Sequence, residues 1–399
     1  MSETPLRERW TLEPGVRFLN HGSYGACPRD VLAAQAGHRA AMEAEPVRYL
    51  GREIVGRLAD ARARLAAFVG AETADLVFVP NATTGVNGVL RSFAFEAGDE
   101  LLVTSHAYNA CRNAADFVCA RSGARVVVAD VPFPLDSPDA VVATVLAGVS
   151  SRTRLALIDH VTSETGLVLP IERIAGELAE RGVPTLVDGA HAPGMVPLAV
   201  PDVGAAFYTG NCHKWICAPK GAAFLWVRRD LQESVRPAVI SHGANSRWPD
   251  HSRFETEFGW TGTDDPTAYL AVPDAIEAMG SLFPGGWNEL RERNRALVLR
   301  ARALLCEALE IDEPAPESMI GSLASVPLPD GDGRARGAFD VDPLQRELFD
   351  AHRIEVPVLS WPAPPARLVR VSAQAYNTID EYRALAQALR SVFGNVRTA

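Results

Sequence analysis

The chain has 399 residues, which at about 150 residues per domain suggests two or three domains with ample apolar core. Lys and Arg number 39 against 49 Asp and Glu, and the resulting net charge of −10 carries no long single-sign run, which argues against phosphate-backbone binding and against an anionic membrane surface. No apolar stretch approaches the roughly 18 residues needed to cross a bilayer, the start MSETPLRERW lacks a secretory apolar segment, and the 6 scattered cysteines have no CxxC pair, so no metal site, reduced thiols and a cytoplasmic location are expected.

Residues 1–70 read as a turn-rich start and two helices, an arm expected to pack on the larger domain. Across 71–265, short β-branched runs alternate with longer amphipathic stretches, the pattern of βα units and a mostly parallel sheet. Seven strands are expected there, at 76–80, 101–104, 125–129, 155–159, 185–188, 205–208 and 222–227. Residues 266–310 read as linking helices, 269–280 and 286–309. In 311–399, strands at 322–327, 354–359 and 368–372 with helices at 343–352 and 379–393 make a small α+β domain, whose acidic, Gly-rich 330–337 stretch is a surface loop.

Three segments of the larger domain carry chemistry. In TLVDGAHAPG, Asp188 closes a strand and His191 follows, at the kind of strand end where open α/β sheets hold ligands. A buried carboxylate there needs a partner, such as a protonated ring nitrogen, unless Asp188 is simply a helix cap. In FYTGNCHKWICAPKG, a strand runs into Asn211, His213 and Lys214. A lysine beside Trp215 and apolar residues can be desolvated into a better nucleophile toward an aldehyde, although a lone lysine is ordinarily a solvated surface charge. In FVPNATTGVNGVLRSF, Thr83 and Thr84 open a helix whose free N–H groups offer a phosphate cradle, or are merely capped. No GxxxxGK[ST] is present and no GxGxxG follows a strand, so nucleotide binding lacks support. A phosphate cradle, an acid for a ring nitrogen and a lysine for an aldehyde are together the contacts that pyridoxal 5'-phosphate (PLP) needs.

These segments, with FLNHGSYGACP, EPVRYLGRE, SHAYNA, DHVTSETGLVLPI, GWTGTDDP and RVSAQAYN in the same order, resemble the isopenicillin N epimerase-like family of class V aminotransferase-fold PLP enzymes. The resemblance covers nearly the whole chain. It implies an α/β, fold-type I architecture: a large domain with a mostly parallel seven-stranded sheet plus a small C-terminal α+β domain. It implies Lys214 as the Schiff-base lysine, Asp188 as the ring-nitrogen partner and His191 near the phenolic oxygen, with Thr83, Thr84, Asn211 and His213 on the phosphate. Gly262 and Thr263 would reach the phosphate across a homodimer. Either His106 or Tyr108 would cover the ring, and Tyr108 could also act as acid or base. Ser163 falls where many class V enzymes carry an Asn ring contact. Arg370 would clamp the substrate carboxylate, a fork that lysine cannot reproduce, with Asn20 and His21 facing the substrate.

The expected reaction breaks a bond at Cα of a small amino-acid substrate through an external aldimine and quinonoid, with epimerisation first in line. A C–S or other β-eliminating lyase, an aminotransferase and a decarboxylase of the same fold are alternatives, as is a catalytically silent binding protein. A metal hydrolase built on His106, His160, Asp188 and His191 has no ligand spacing behind it. Persulfide-forming desulfuration is disfavoured, because the stretch 331–370 holds no cysteine.

Overall fold

A computed structural model describes residues 6–394 apart from 336 and 338. A short strand β1 (Arg17–Phe18) is followed by the seven that form the main sheet: β2 (Leu76–Val79), β3 (Glu100–Thr104), β4 (Arg125–Ala129), β5 (Thr153–Asp159), β6 (Thr185–Asp188), β7 (Phe207–Asn211) and β8 (Ala223–Val227). The order is β2-β8-β7-β6-β5-β3-β4, with β8 antiparallel to both neighbours and the other pairings parallel. Every residue of β2, β3, β6, β7 and β8 is buried, as expected where helices cover both faces of a sheet.

The sixth expected strand shifts: the one expected at 205–208 runs later, through the polar Thr209–Gly210–Asn211. The fully buried polar groups are satisfied, since the Thr209 hydroxyl donates to the Phe224 carbonyl at 2.8 Å and the Asn211 side chain accepts from the Ala82 amide at 2.8 Å. The helix expected at 269–280 is instead two, Thr267–Leu270 and Val272–Gly280. The break falls at Ala271, just before Pro273, whose missing N–H suits the first turn of a new helix and not an interior.

Beyond the long helix Gly286–Leu309 lie β9 (Leu323–Leu328), β10 (Ile354–Glu355), β11 (Val358–Ser360) and β12 (Arg367–Ser372), with helices Pro343–His352 and Ile379–Gly394. Strands β11, β12 and β9 form an antiparallel sheet in that order. The strand expected at 354–359 is split, because Pro357 has no N–H for a ladder. Its first half pairs with β1 in parallel. The arm therefore does not pack on the large unit alone: helices Arg29–Ala44 and Ile54–Phe68 join the main core, whereas Leu19 is buried in the core of the C-terminal unit. Among the described residues no helix is long and apolar enough to cross a membrane.

Candidate active site

The carboxyl ends of β5, β6 and β7 bring Asp159, Asp188 and, two residues past Asn211, His213 and Lys214 to one edge. Lys214 is partly buried, and desolvation followed by the charge of Arg370 brings its ammonium down to about 8, against the opposing pull of Asp188 and Glu164. Its Nζ lies 2.9 Å from His191 Nε2, and the Trp215 indole N–H donates to His191 Nδ1 at 3.3 Å. Burial and then the Lys214 charge push that imidazole well below its usual range, and the indole donor leaves Nδ1 an acceptor.

Asp188 is 3% exposed, with one oxygen accepting the Ala190 amide at 3.0 Å and the other the Cys111 thiol at 3.0 Å. Its register partner Asp159 is fully buried and driven well above the usual carboxylate range by burial and then by the Asp188 charge. Nearby, the helix Ala82–Ser92 begins at Asn81, whose side chain accepts from the Thr84 amide at 2.9 Å, while Asn211 holds the Ala82 amide. Thr83 and Thr84 thus open the helix at its positive end, tied to the tip of β7. His213 Nδ1 lies 2.8 Å from the Ala222 carbonyl, and burial lowers the ring to about 4.

The opposite wall comes from the arm and the C-terminal unit. Arg370, 3% exposed on β12, donates from one terminal nitrogen to the Ser163 carbonyl at 2.6 Å and hydroxyl at 3.3 Å, and from the other to the Ser23 hydroxyl at 2.8 Å. Ser23 in turn donates to Asn20 at 2.5 Å, and Asn20 donates to Glu355 on β10 at 3.2 Å. The buried Arg370 Nε and Glu164 Oε2 have no hydrogen-bond partner. Such atoms are costly unless a ligand completes them.

The aminotransferase class-V profile matches residues 26–318. The chain belongs to that family. Its members are PLP-dependent enzymes, and the residues at the sheet edge fit that cofactor: a lysine lowered to about 8, a carboxylate at a neighbouring strand end and a helix N-terminus tied to the tip of β7. The class-V chain is 38% identical over 400 residues, 97% of both sequences, to isopenicillin N epimerase of Amycolatopsis lactamdurans. It is 33% identical to putative L-cysteine desulfhydrase 1 of Oryza sativa subsp. japonica over 95% of this chain and 84% of that one. A solved structure of the cystine C–S lyase C-DES with its product cysteine persulfide superposes with a TM-score of 0.77 at 21% identity, covering 94% of this chain and 98% of that one.

Several residues of the class-V enzyme stand elsewhere than the sequence suggests. His21 is 0% exposed, with Nδ1 at 2.8 Å from the Tyr376 hydroxyl and Nε2 at 3.0 Å from the Lys214 carbonyl. Asn20 acts on Arg370 only through Ser23. Ser163 is engaged with Arg370. His106 is 1% exposed, with its nitrogens at 2.7 Å from the Thr165 hydroxyl and 3.0 Å from the Val131 carbonyl and its ring against Trp361, whereas Tyr108 is 40% exposed. The hydroxyl of Tyr108 is raised by burial and by the charges of Glu164 and Asp188. Gly262 shares a cavity of about 130 Å³ with Thr84 within one chain, and Thr263 is exposed. His160 Nδ1 is engaged by the Tyr208 hydroxyl at 2.8 Å, so the four residues of the metal reading have separate partners. Sequence reasoning did not single out Ser23, Glu164, Asp159 or Cys111. Ser23 and Glu164 lie inside segments already singled out, HGSYG and TSETG, and their polarity was the available signal.

Proposed function

We propose that this class-V enzyme epimerises an amino acid at Cα, with Lys214 and Tyr108 exchanging the proton. The carrying observation is a partly buried lysine whose ammonium is lowered to about 8, with Nζ 2.9 Å from His191 Nε2 and in electrostatic reach of Arg370 and Asp188. Bound PLP supplies the electron sink for the pair left at Cα when a bond there breaks. Lys214 would hold the cofactor through its aldehyde and take or return the Cα proton. Asp188 would hold the ring-nitrogen proton, and His191 would serve the phenolic oxygen. Thr83, Thr84, Asn211 and His213 hold the phosphate. Tyr108 would cover the ring, since it is 40% exposed whereas the His106 ring is 1% exposed and lies against Trp361. Arg370, braced by Ser163 and Ser23, fixes the α-carboxylate. The 38% identity to an isopenicillin N epimerase supports this reading.

Elimination of a Cβ thiol is the second reading. The raised Tyr108 hydroxyl stays protonated, which suits donation to a leaving thiolate better than it suits proton removal in the reverse direction of an epimerase. Relatives named as cysteine desulfhydrases support it. For the quaternary state we propose a homodimer in which Gly262 and Thr263 lie at the partner's phosphate site; exposed Val47, Val239 and Ile240 offer an apolar face. Six buried, unpaired thiols fit a reducing cytoplasm.

The test is incubation of the loaded enzyme with L-amino acids in D₂O. Inverted product carrying deuterium at Cα establishes epimerisation. Pyruvate and ammonia, with sulfide from cysteine or cysteine persulfide from cystine and without inversion, replace it with elimination.

A further inference from the structure

The turn that follows β5 is pinned on three sides. The Ser163 carbonyl takes Arg370 at 2.6 Å, the Glu164 carbonyl takes the Ser325 hydroxyl at 2.6 Å, and the Thr165 hydroxyl meets His106 at 2.7 Å. The backbone of Glu164 is thereby fixed between the sheet edge and β9, yet its carboxylate has been given nothing to do. Oxygen Oε2 is sealed from solvent and unpartnered. The charged and titratable groups that face it are Arg370, Lys214, Asp188, Tyr108 and Asp159, from five different segments.

Charge accounting at the site leaves Glu164 over. Asp188 serves a ring nitrogen and Arg370 a substrate carboxylate. Once a carboxylate docks on Arg370, Glu164 stands beside a second negative charge, which is unfavourable in a dry site unless the ligand also brings a positive group. A free amino acid brings one, its α-ammonium, and that group must lose a proton before its nitrogen can act as a nucleophile.

We propose that Glu164 is a substrate-binding residue that docks the α-ammonium of the incoming amino acid and accepts its proton. An N–H bond of the ammonium breaks, an O–H bond forms on Oε2, and the nitrogen keeps the pair; nothing is oxidised or reduced. Burial raises Glu164 above the usual carboxylate range, against the pull of Arg370, which makes it a better acceptor than a solvated glutamate. The role rests on the class-V reading of the site and makes the enzyme select zwitterions over simple acids.

The ligand pair that tests this is 2-aminoisobutyrate and isobutyrate, which differ by the amino group and cannot react at a Cα–H in the amino acid. Binding is followed by saturation-transfer NMR on the loaded protein and on the cofactor-free protein, for wild type, Glu164→Gln and Ser325→Ala. The expected result is a wild-type preference for the zwitterion that falls about tenfold in Glu164→Gln, while isobutyrate binds that variant as well or better. Absorbance-monitored adduct formation by Glu164→Gln should recover at high pH, as free amine replaces ammonium. Ser325→Ala, which loosens the turn but keeps the carboxylate, should weaken both ligands alike. An unchanged preference and pH profile in Glu164→Gln overturns the proposal, as does equal weakening of both ligands. Absence of a cofactor absorbance band in wild type would overturn the class-V reading instead, and the same ligand pair on unloaded protein still decides Glu164.

Discussion

The two walls of the site are built differently. On the sheet side, Asp188, Asn211, His213 and Lys214 lie within two consecutive strands and their exits, and parallel pairing alone sets them side by side. On the other side, Arg370 is held by Ser163 from the turn after β5 and by Ser23 from the arm, which is in turn tied through Asn20 to Glu355. The first wall is local and rigid; the second is a junction of four segments far apart in the chain. On the proposed reading, the lysine and the ring-nitrogen carboxylate come from one piece of sheet, and substrate recognition depends on how the arm and the C-terminal unit meet it.

The sheet wall breaks hardest at its lysine. Lys214→Ala should abolish borohydride-reducible attachment of the cofactor and lower turnover by about 10³-fold or more, read by absorbance, intact mass and product assay. A reducible adduct in that variant would remove Lys214 from its role. The corresponding change on the junction wall is Arg370→Lys, which keeps the charge and loses the fork. KM for the amino acid should rise roughly 10- to 100-fold with a smaller change in kcat, and cofactor binding should be intact. If cofactor affinity fell instead, the two walls would not be separable.

Gly25 is where the walls touch. It sits at φ +71, and a Cβ there would lie 2.1 Å from the His213 carbonyl oxygen, so Gly25→Ala strains the arm and displaces the backbone that carries Lys214. The expected cost is about 2–4 kcal/mol in denaturant unfolding, with slower cofactor uptake. A variant with wild-type stability would show that the arm stands off from the lysine loop.

The local wall was legible and the junction was not, for physical reasons. Strand ends announce themselves by β-branched runs and the polar residues that stop them, so Asp188 and Lys214 could be placed without tertiary information. His21 could not, because its direction is set by Tyr376 and by a backbone carbonyl at Lys214, contacts across most of the chain. The split at Pro357 shows the same limit: the proline marks a break, but that Ile354–Glu355 then pairs with the arm is a tertiary fact. Cys111 is a small buried residue in sequence terms, and only the fold puts its thiol on Asp188.

Acidity distinguishes the walls further. With Lys214 lowered to about 8, its amine is mostly protonated at pH 7 and mostly free at pH 9. The rate at which cofactor-free protein takes up PLP should therefore rise about tenfold per pH unit below 8 and level above it. Stability of the cofactor-free protein has the matching sign. The folded lysine loses its proton near 8 while the unfolded one keeps it to 10.5, so this group favours folding increasingly as pH rises between those values. A flat uptake profile from pH 7 to 9 would mean that Lys214 is not desolvated in solution.

The smallest effect separates position from charge on the junction wall. Ser23→Ala removes the hydroxyl that accepts from Arg370 and also strips Asn20 of its donor, while the guanidinium keeps its bond to Ser163. One lost hydrogen bond to a charged group, partly replaced by water, should raise KM about three- to tenfold. Ser23→Thr, which restores a hydroxyl, should recover most of that loss if the arm acts by aiming Arg370. If Ser23→Ala altered kcat at unchanged KM, the arm would be serving Lys214 through Gly25 and not the substrate through Arg370, and the division between the two walls would have to be redrawn along the chain segment from Asn20 to Gly25.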